Sequence, residues 1–267
     1  MFGTIHSGMA TSMFEISVIS NNVANAGTTA FRKSSASFAD LYSGASPETV
    51  SRTSTGVGSL VEQTRQSTKQ GGFLERDGVL NLALAGNGMF VMTTPNPDGT
   101  PSNALSYTRD GEFSLDQNGV LRSSTNDIVF GYDGAGGTTL QQLVVPFINE
   151  NETQLTALEI NSSGMIMATY GSEDPIVVGQ VAVALFANPT QMRQLGMGRS
   201  QESQASGLPI FGVAGTEGFG RILTGSLEAS NVDLTTEMTN MIRAQQQFSG
   251  SSRVLQAYAD MIEKLTR

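Results

Sequence analysis

The sequence predicts an α+β protein in which paired N- and C-terminal α-helices, coiled-coil-like in rhythm, flank an extended connector and a central, mainly antiparallel β domain. Two observations carry this. Apolar residues recur in steps of three and four at both ends of the chain, the period of a helix with one buried stripe. Between the ends that rhythm is absent, and glycine-containing turns separate short runs of Val, Ile, Leu, Phe and Tyr, the pattern of neighbouring strands.

The first helix is expected within residues 1–33. Phe2, Ile5, Met9, Ile16, Ile19, Val23 and Ala26 form its seam, interrupted by Ser12. Glu15 is the only charged side chain between Met1 and Phe31, and the face opposite the seam carries Ser, Thr, Asn and Gly. A helix without a charged outer face is poorly suited to standing alone in water. Residues 34–74 shift to Ser, Thr, Gly and Gln, with Phe38, Leu41, Tyr42 and Leu60 as isolated large apolar residues, and read as an extended connector.

The β domain is expected over residues 75–225. Asp110-Gly111 and Asn118-Gly119 bracket residues 112–117, and both dipeptides favour the turns of a hairpin or meander. A second β set covers residues 155–160, 165–170 and 176–186, punctuated by Ser163-Gly164 and Asp174-Pro175. Together with residues 80–92 these runs should supply the core. The last helix, within residues 226–267, repeats the seam through Leu234, Met238, Met241, Phe248, Leu255, Ala259 and Ile262, with Gln245 and Ser252 as polar interruptions. Asn231 and Asp233 precede it with N-cap chemistry. The two ends are thus candidate partners for each other, and their seams call for further burial from neighbouring copies.

Composition narrows the function. A chain of 267 residues with 39% hydrophobic side chains can bury one large core or two modest ones. The absence of cysteine excludes a disulfide framework, a thiolate nucleophile and a sulfur-ligated zinc site. A net charge of −9 with scattered basic residues offers no track for phosphates, so nucleic acid is not an expected partner. The longest apolar run, Val181 to Phe186, falls far short of the roughly 18–20 residues needed to cross a bilayer, and no integral membrane protein is expected. Residues 1–8 lack a basic n-region followed by an apolar h-region, so a cleaved secretory signal is not expected either.

Specific words then add to the periodicity. Residues 19–25, ISNNVAN, followed by Thr28, Phe31, Arg32 and Lys33, resemble the amino-terminal signature of the bacterial flagellar rod and hook proteins. Residues 225–233, GSLEASNVD, then Glu237-Met238, Asn240-Met241-Ile242 and Ala244-Gln245, resemble that family's carboxyl-terminal motif. Residues 70–74, QGGFL, residues 82–91, LALAGNGMFV, and residues 107–111, YTRDG, with Phe113 are similar to the start of its β domain, while residues 130–215 match weakly.

The resemblance implies a non-enzymatic structural subunit of the flagellar axis, without cofactor. It would be exported unfolded by the flagellar type III export apparatus without a cleaved signal, and assembled helically with copies of itself and neighbouring rod or hook subunits in the periplasm-spanning basal body. The implied assembly interface combines the seam residues Phe2, Ile5, Met9, Ile16, Ile19, Val23, Leu234, Met238, Met241, Phe248, Leu255 and Ile262 with Asn21, Asn22, Asn25, Phe31, Asn231, Ile242 and Gln245. Hook subunits usually carry a further outer domain, so the length favours a rod subunit. Residues 31–44, FRKSSASFADLYSG, look more like a hook segment and keep a short hook subunit as the alternative. Ala30, where the family often has glycine, is a departure, and the short stretch from Ser43 to Gly58 leaves proximal against distal rod open.

Chemistry competes weakly with this reading. His6 lies in the apolar first helix, remote in sequence from any nucleophile, and fits a surface or interface residue better than a general base. Asp110, Glu112 and Asp116 share a strand face but suit turn and solvent roles. Residues 56–58 and 86–88 lack the third glycine of a dinucleotide site, and residues 116–119 reach glycine too early for a calcium loop, so no metal is expected. A monomeric carbohydrate-binding or adhesin-like β module, from a different functional class, would leave both terminal seams unexplained.

Overall fold

The structure is a computed structural model that describes residues 2–42, 56–134, 137, 139–149 and 151–266. Residues 43–55, which the sequence assigns to the connector, lie outside the described residues. The chain divides into two compact units, a helical one of residues 1–27, 32–67 and 232–267 and a β one of residues 28–31 and 68–231.

The helical unit contains helix α1 (Phe2–Ala24), strands β1 (Ser34–Tyr42) and β2 (Gly56–Gln66), and helix α2 (Leu234–Thr266). α1 and α2 pack against each other, the end of α1 lying beside the start of α2. β1 and β2 form an antiparallel ribbon running from Ser34 opposite Gln66 to Tyr42 opposite Gly56, with irregularities after Ser37 and Leu41. The low apolar content of this stretch conceals the pairing, because the ribbon is held by its ladder and by α1 more than by side chains of its own.

The contact with α1 explains part of the uncharged face of that helix. Ser7 Oγ accepts from the Ser59 amide at 3.3 Å, Thr11 and Ser59 share a hydroxyl contact at 3.3 Å, and Thr4 Oγ1 donates to the Val57 carbonyl at 3.4 Å. Thr11 and Ser12 are buried, and their hydroxyls donate back to the Ser7 and Gly8 carbonyls. Gly58, at φ +131°, lies so close that an added Cβ would stand 2.2 Å from Ser7 Oγ. Ser7 and Thr11 therefore dock on a strand, where a larger side chain at Ser7 would meet Gly58, while Ser17, Ser20 and Asn21 stay exposed.

In the β unit, short strands β3 (Phe73–Glu75), β4 (Leu82–Ala85) and β5 (Met89–Pro95) precede β6 (Pro101–Thr108), β7 (Phe113–Leu115), β8 (Leu121–Ser123) and β9 (Ile128–Asp133). They are followed by β10 (Leu140–Gln142), β11 (Leu155–Ile160), β12 (Met165–Tyr170), β13 (Ile176–Leu185), β14 (Arg193–Gly196), β15 (Arg199–Gln201), β16 (Ile210–Val213), β17 (Arg221–Thr224) and β18 (Ser226–Glu228). The main sheet runs in the order β11-β12-β13-β9-β5-β6-β15-β14, and the pairings among the described residues are antiparallel. The α+β class expected from the sequence is what the fold shows.

The expected meander at residues 112–117 is the β7–β8 hairpin, closed by the turn from Asp116 to Val120 with Leu115 opposite Leu121. Asp110-Gly111 does something else. Gly111 is needed for close approach, because a Cβ there would fall 1.7 Å from the Leu82 carbonyl oxygen, whose own amide bonds the Gly111 carbonyl at 2.9 Å. Leu82, Leu84, Phe90, Val129, Ile166, Val181, Val183 and Ile222 are sealed from solvent in the larger core cluster, with Phe90 and Phe113 meeting edge to face at 5.2 Å. Val91, Tyr107, Ala182 and Ala184 form a second cluster, where Tyr107 meets Phe186 edge to face at 4.7 Å.

Ala30 departs from glycine at a position that needs it. Its φ is +54°, in the left-handed region, and its amide donates to the Glu228 carbonyl at 2.7 Å. A Cβ in that conformation costs about 1–2 kcal/mol, and little of this is recovered by burying one methyl group. Ala30→Gly should raise the stability of the β unit by about 0.5–1 kcal/mol in urea titrations, and Ala30→Val should lower it by more than that.

Candidate assembly surface

The first turn of α2 is built by its N-cap. Asp233 Oδ1 accepts from the Thr235 amide at 3.0 Å and Oδ2 from the Thr236 hydroxyl at 2.8 Å, the capping role expected of Asp233. The Thr236 hydroxyl, aided by the Thr235 and Thr236 amides, holds the Asp233 carboxyl below its usual range. A carboxyl depressed in the folded state stabilises at neutral pH, and the contribution disappears as pH falls through the depressed value. Acidification below the ordinary carboxylate range should therefore shift the Thr235 and Thr236 amide resonances, and Asp233→Asn, which keeps the cap but not the charge, should remove that pH dependence.

A buried polar node ties the helical unit together. Asn22, 1% exposed, donates from Nδ2 to the Ser34 carbonyl at 2.8 Å and to Glu237 Oε2 at 3.0 Å, and its Oδ1 accepts from the Ser34 amide at 2.9 Å. Glu237 is 3% exposed, and its second oxygen meets Lys33 Nζ at 3.4 Å. One side chain from each of three segments is thus consumed inside the chain. The amide of Asn22 has its donors and acceptor satisfied internally, which accounts physically for a fully buried asparagine beside the seam.

The other residues expected at the interface divide into three groups. Ile19 is buried within the unit, and Ile5, Met9, Ile16, Val23, Met241, Phe248 and Leu255 are half-buried. Phe2, Leu234, Met238, Ile242 and Ile262 are exposed, as are Asn21 and Gln245. Asn25 turns back to cap α1, donating from Nδ2 to the Asn21 carbonyl at 2.9 Å. Phe31 and Asn231 are in the β unit, where the Asn231 amide donates to the Phe31 carbonyl at 3.2 Å and its side chain to the Lys69 carbonyl at 2.7 Å.

On α2 the exposed members make a pattern. Leu234, Met238 and Ile242 are spaced by four and are 45%, 54% and 56% exposed, and Val254, Met261 and Leu265 continue the apolar surface toward the end of the helix. Two stripes therefore run along α2. The half-buried one passes through Met241, Phe248 and Leu255 beside the buried Glu237 and Ala244, and the exposed one lies next to it. Periodicity read them as a single seam because they share a helical rhythm. Glu237, Ala244 and Ser12 are buried and Lys33 meets Glu237, yet periodicity assigned none of them to a seam: Glu237, Lys33 and Ala244 stood out only as members of the motifs, and Ser12 only as an interruption.

The sequence motifs at the two ends of the β unit converge on a second buried node. Arg109 donates from Nη1 to Glu228 Oε2 at 3.2 Å and to the Leu84 carbonyl at 3.1 Å, and from Nη2 to the Gly86 carbonyl at 2.7 Å. Glu228 Oε1 accepts from the Gly71 amide at 3.2 Å. Residues 70–74, 82–91, 107–111 and 225–233 therefore contribute to one clasp where the chain enters and leaves this unit.

The acidic residues weighed for catalysis build turns. Asp110 accepts from the Ser124 hydroxyl and the Glu112 amide, and Asp116 accepts from the Asn118 and Val120 amides and from Arg122 Nε at 2.7 Å. His6 is exposed on α1. Among the described residues no group of three or more His, Asp or Glu is placed to hold a metal, and no helix is long and apolar enough to cross a membrane.

Residues 223–267 match the family described as flagellar basal body rod FlgEFG protein C-terminal, and residues 83–168 match the flagellar hook protein FlgE/F/G D1 domain. The flagellar basal-body rod protein FlgG of Buchnera aphidicola subsp. Schizaphis graminum is 31% identical over 97% of this chain and 96% of its own length. The chain belongs to the flagellar basal-body rod and hook family. The rod protein FlgG of Caulobacter vibrioides is 32% identical over 97% of this chain and 95% of its own, whereas the flagellar hook protein FlgE of Salmonella typhimurium is 28% identical over 62% of this chain and 45% of its own. Rod and hook family members are structural and non-enzymatic, and this chain is a structural subunit of the flagellar axis. A monomeric adhesin-like module is not favoured by these findings.

Proposed function

We propose that the chain is a subunit of the flagellar basal-body rod, which joins copies of itself and neighbouring rod or hook subunits through its terminal helices. The exposed stripe of Leu234, Met238 and Ile242 carries this reading: a row of large apolar side chains left in water along a well-capped helix is the surface a neighbouring copy would cover. Similarity to rod proteins along nearly the full length of both chains supports rod over hook. In the assembled axis α1 and α2 pair in a coiled-coil-like inner layer around a tube that conducts exported subunits and transmits torque. The subunit reaches that periplasm-spanning position through the flagellar type III export apparatus.

Because one asymmetric patch on each copy meets a different patch on the next, the contact repeats as an open helix. Deletion of residues 2–24 tests the role of α1 without touching Ala30, whose amide belongs to the β unit. The truncated chain should keep the β unit folded yet be absent from purified hook–basal bodies. Recovery of hook growth by that truncation in a strain lacking the full-length chain would overturn the tubular role of α1.

A further inference from the structure

The charges of this chain are segregated between its two units. Residues 1–27, 32–67 and 232–267 hold eight basic and eight acidic residues and are neutral, whereas residues 28–31 and 68–231 hold seven basic and sixteen acidic residues and carry the whole net charge of −9. Three of those seven cations are consumed by the carboxylates of Glu228, Asp116 and Asp127. Asp98, Glu152, Glu159, Asp174, Glu202 and Glu217 stand exposed on the same unit. The exposed apolar stripe of α2 belongs to the neutral unit.

We propose that the β unit acts as an electrostatic brake on association between copies of this chain, released by ionic strength, while the apolar stripe on α2 supplies the attraction. The proposal rests on the self-assembly reading above and adds its regulation. Like charge on every copy opposes approach, and the helical unit, being neutral, adds nothing to that cost. The field of nine charges extends about 30 Å at 10 mM salt and about 8 Å at 0.15 M. The repulsion between copies therefore weakens pair association at the lower salt and is largely screened at the higher. Contacts made by ion pairs would show the opposite trend, since salt weakens them.

The test is static light scattering and sedimentation of the full chain at pH 7 in 10, 150 and 500 mM NaCl. The second virial coefficient should be positive at 10 mM and fall as salt rises, and a quadruple variant, Asp98→Asn, Glu159→Gln, Asp174→Asn and Glu217→Gln, should show a clearly lower value at 10 mM with unchanged circular dichroism. Met238→Ser with Ile242→Ser should leave the low-salt value in place and remove association at 500 mM. A virial coefficient that rises with salt, or one that the quadruple variant does not move, overturns the brake. Absence of association at 500 mM in the unaltered chain would instead count against the self-assembly reading, while the low-salt values would still decide the brake.

Discussion

Arg109→Met should lower the stability of the β unit by about 3–5 kcal/mol, because it leaves the Glu228 carboxylate buried and unpaired. Arg109 and Glu228 side chains are 7% and 2% exposed, and the guanidinium also serves the Leu84 and Gly86 carbonyls. The partner variant separates charge from shape: adding Glu228→Gln removes the stranded charge while keeping an acceptor for the Gly71 amide, and should recover a large part of the loss. Urea titration followed by tyrosine fluorescence checks this, since the chain has no tryptophan and three of its five tyrosines, Tyr107, Tyr132 and Tyr170, lie in the β unit. A change below 1 kcal/mol for Arg109→Met would mean that the clasp contributes nothing its neighbours do not already supply.

The second large effect distinguishes the internal packing of α1 from the exposed stripe of α2. Ile19 is 5% exposed within the helical unit, so Ile19→Asp buries an unpaired carboxylate and should cost on the order of 3 kcal/mol, lost as helical circular dichroism in the isolated chain. Ile242 is 56% exposed, and Ile242→Asp should leave that signal within error while abolishing incorporation into hook–basal bodies. The two substitutions have the same chemistry and opposite readouts. If Ile242→Asp incorporated normally, the exposed stripe would not be the contact between copies. If Ile19→Asp kept full helicity, the internal packing of α1 would be looser than its burial indicates.

Much of this protein was written in the order of its residues. Alternating steps of three and four located both helices, and the strand runs at 155–160, 165–170 and 176–186 reappear as β11, β12 and β13 with nearly the same ends. Local pattern suffices there because an amphipathic helix and a turn-bounded strand are each set by neighbours in sequence. The capping role of Asp233 and the turn at Asn118-Gly119 are local in the same sense. The motifs at 19–25, 70–74, 107–111 and 225–233 were recognisable as words, and they sufficed to point to the family.

What those words do physically was decided only by the tertiary structure. Periodicity cannot tell a stripe buried against the partner helix from the exposed one beside it, since both recur at the same interval. Only burial separates them, half-buried at Met241, Phe248 and Leu255 and exposed at Leu234, Met238 and Ile242. Ser7 and Thr11 of α1, silent as hydropathy, became a docking surface when β2 brought Ser59 and Gly58 to them. Asn22 with Glu237 and Arg109 with Glu228 are 215 and 119 residues apart, and a buried polar pair leaves no trace in sequence until folding removes water from both partners. The whole net charge of −9, by contrast, was legible in the sequence, since it lies in the contiguous stretch of residues 68–231; the fold adds that the two ends of the chain and residues 32–67 join into one neutral unit.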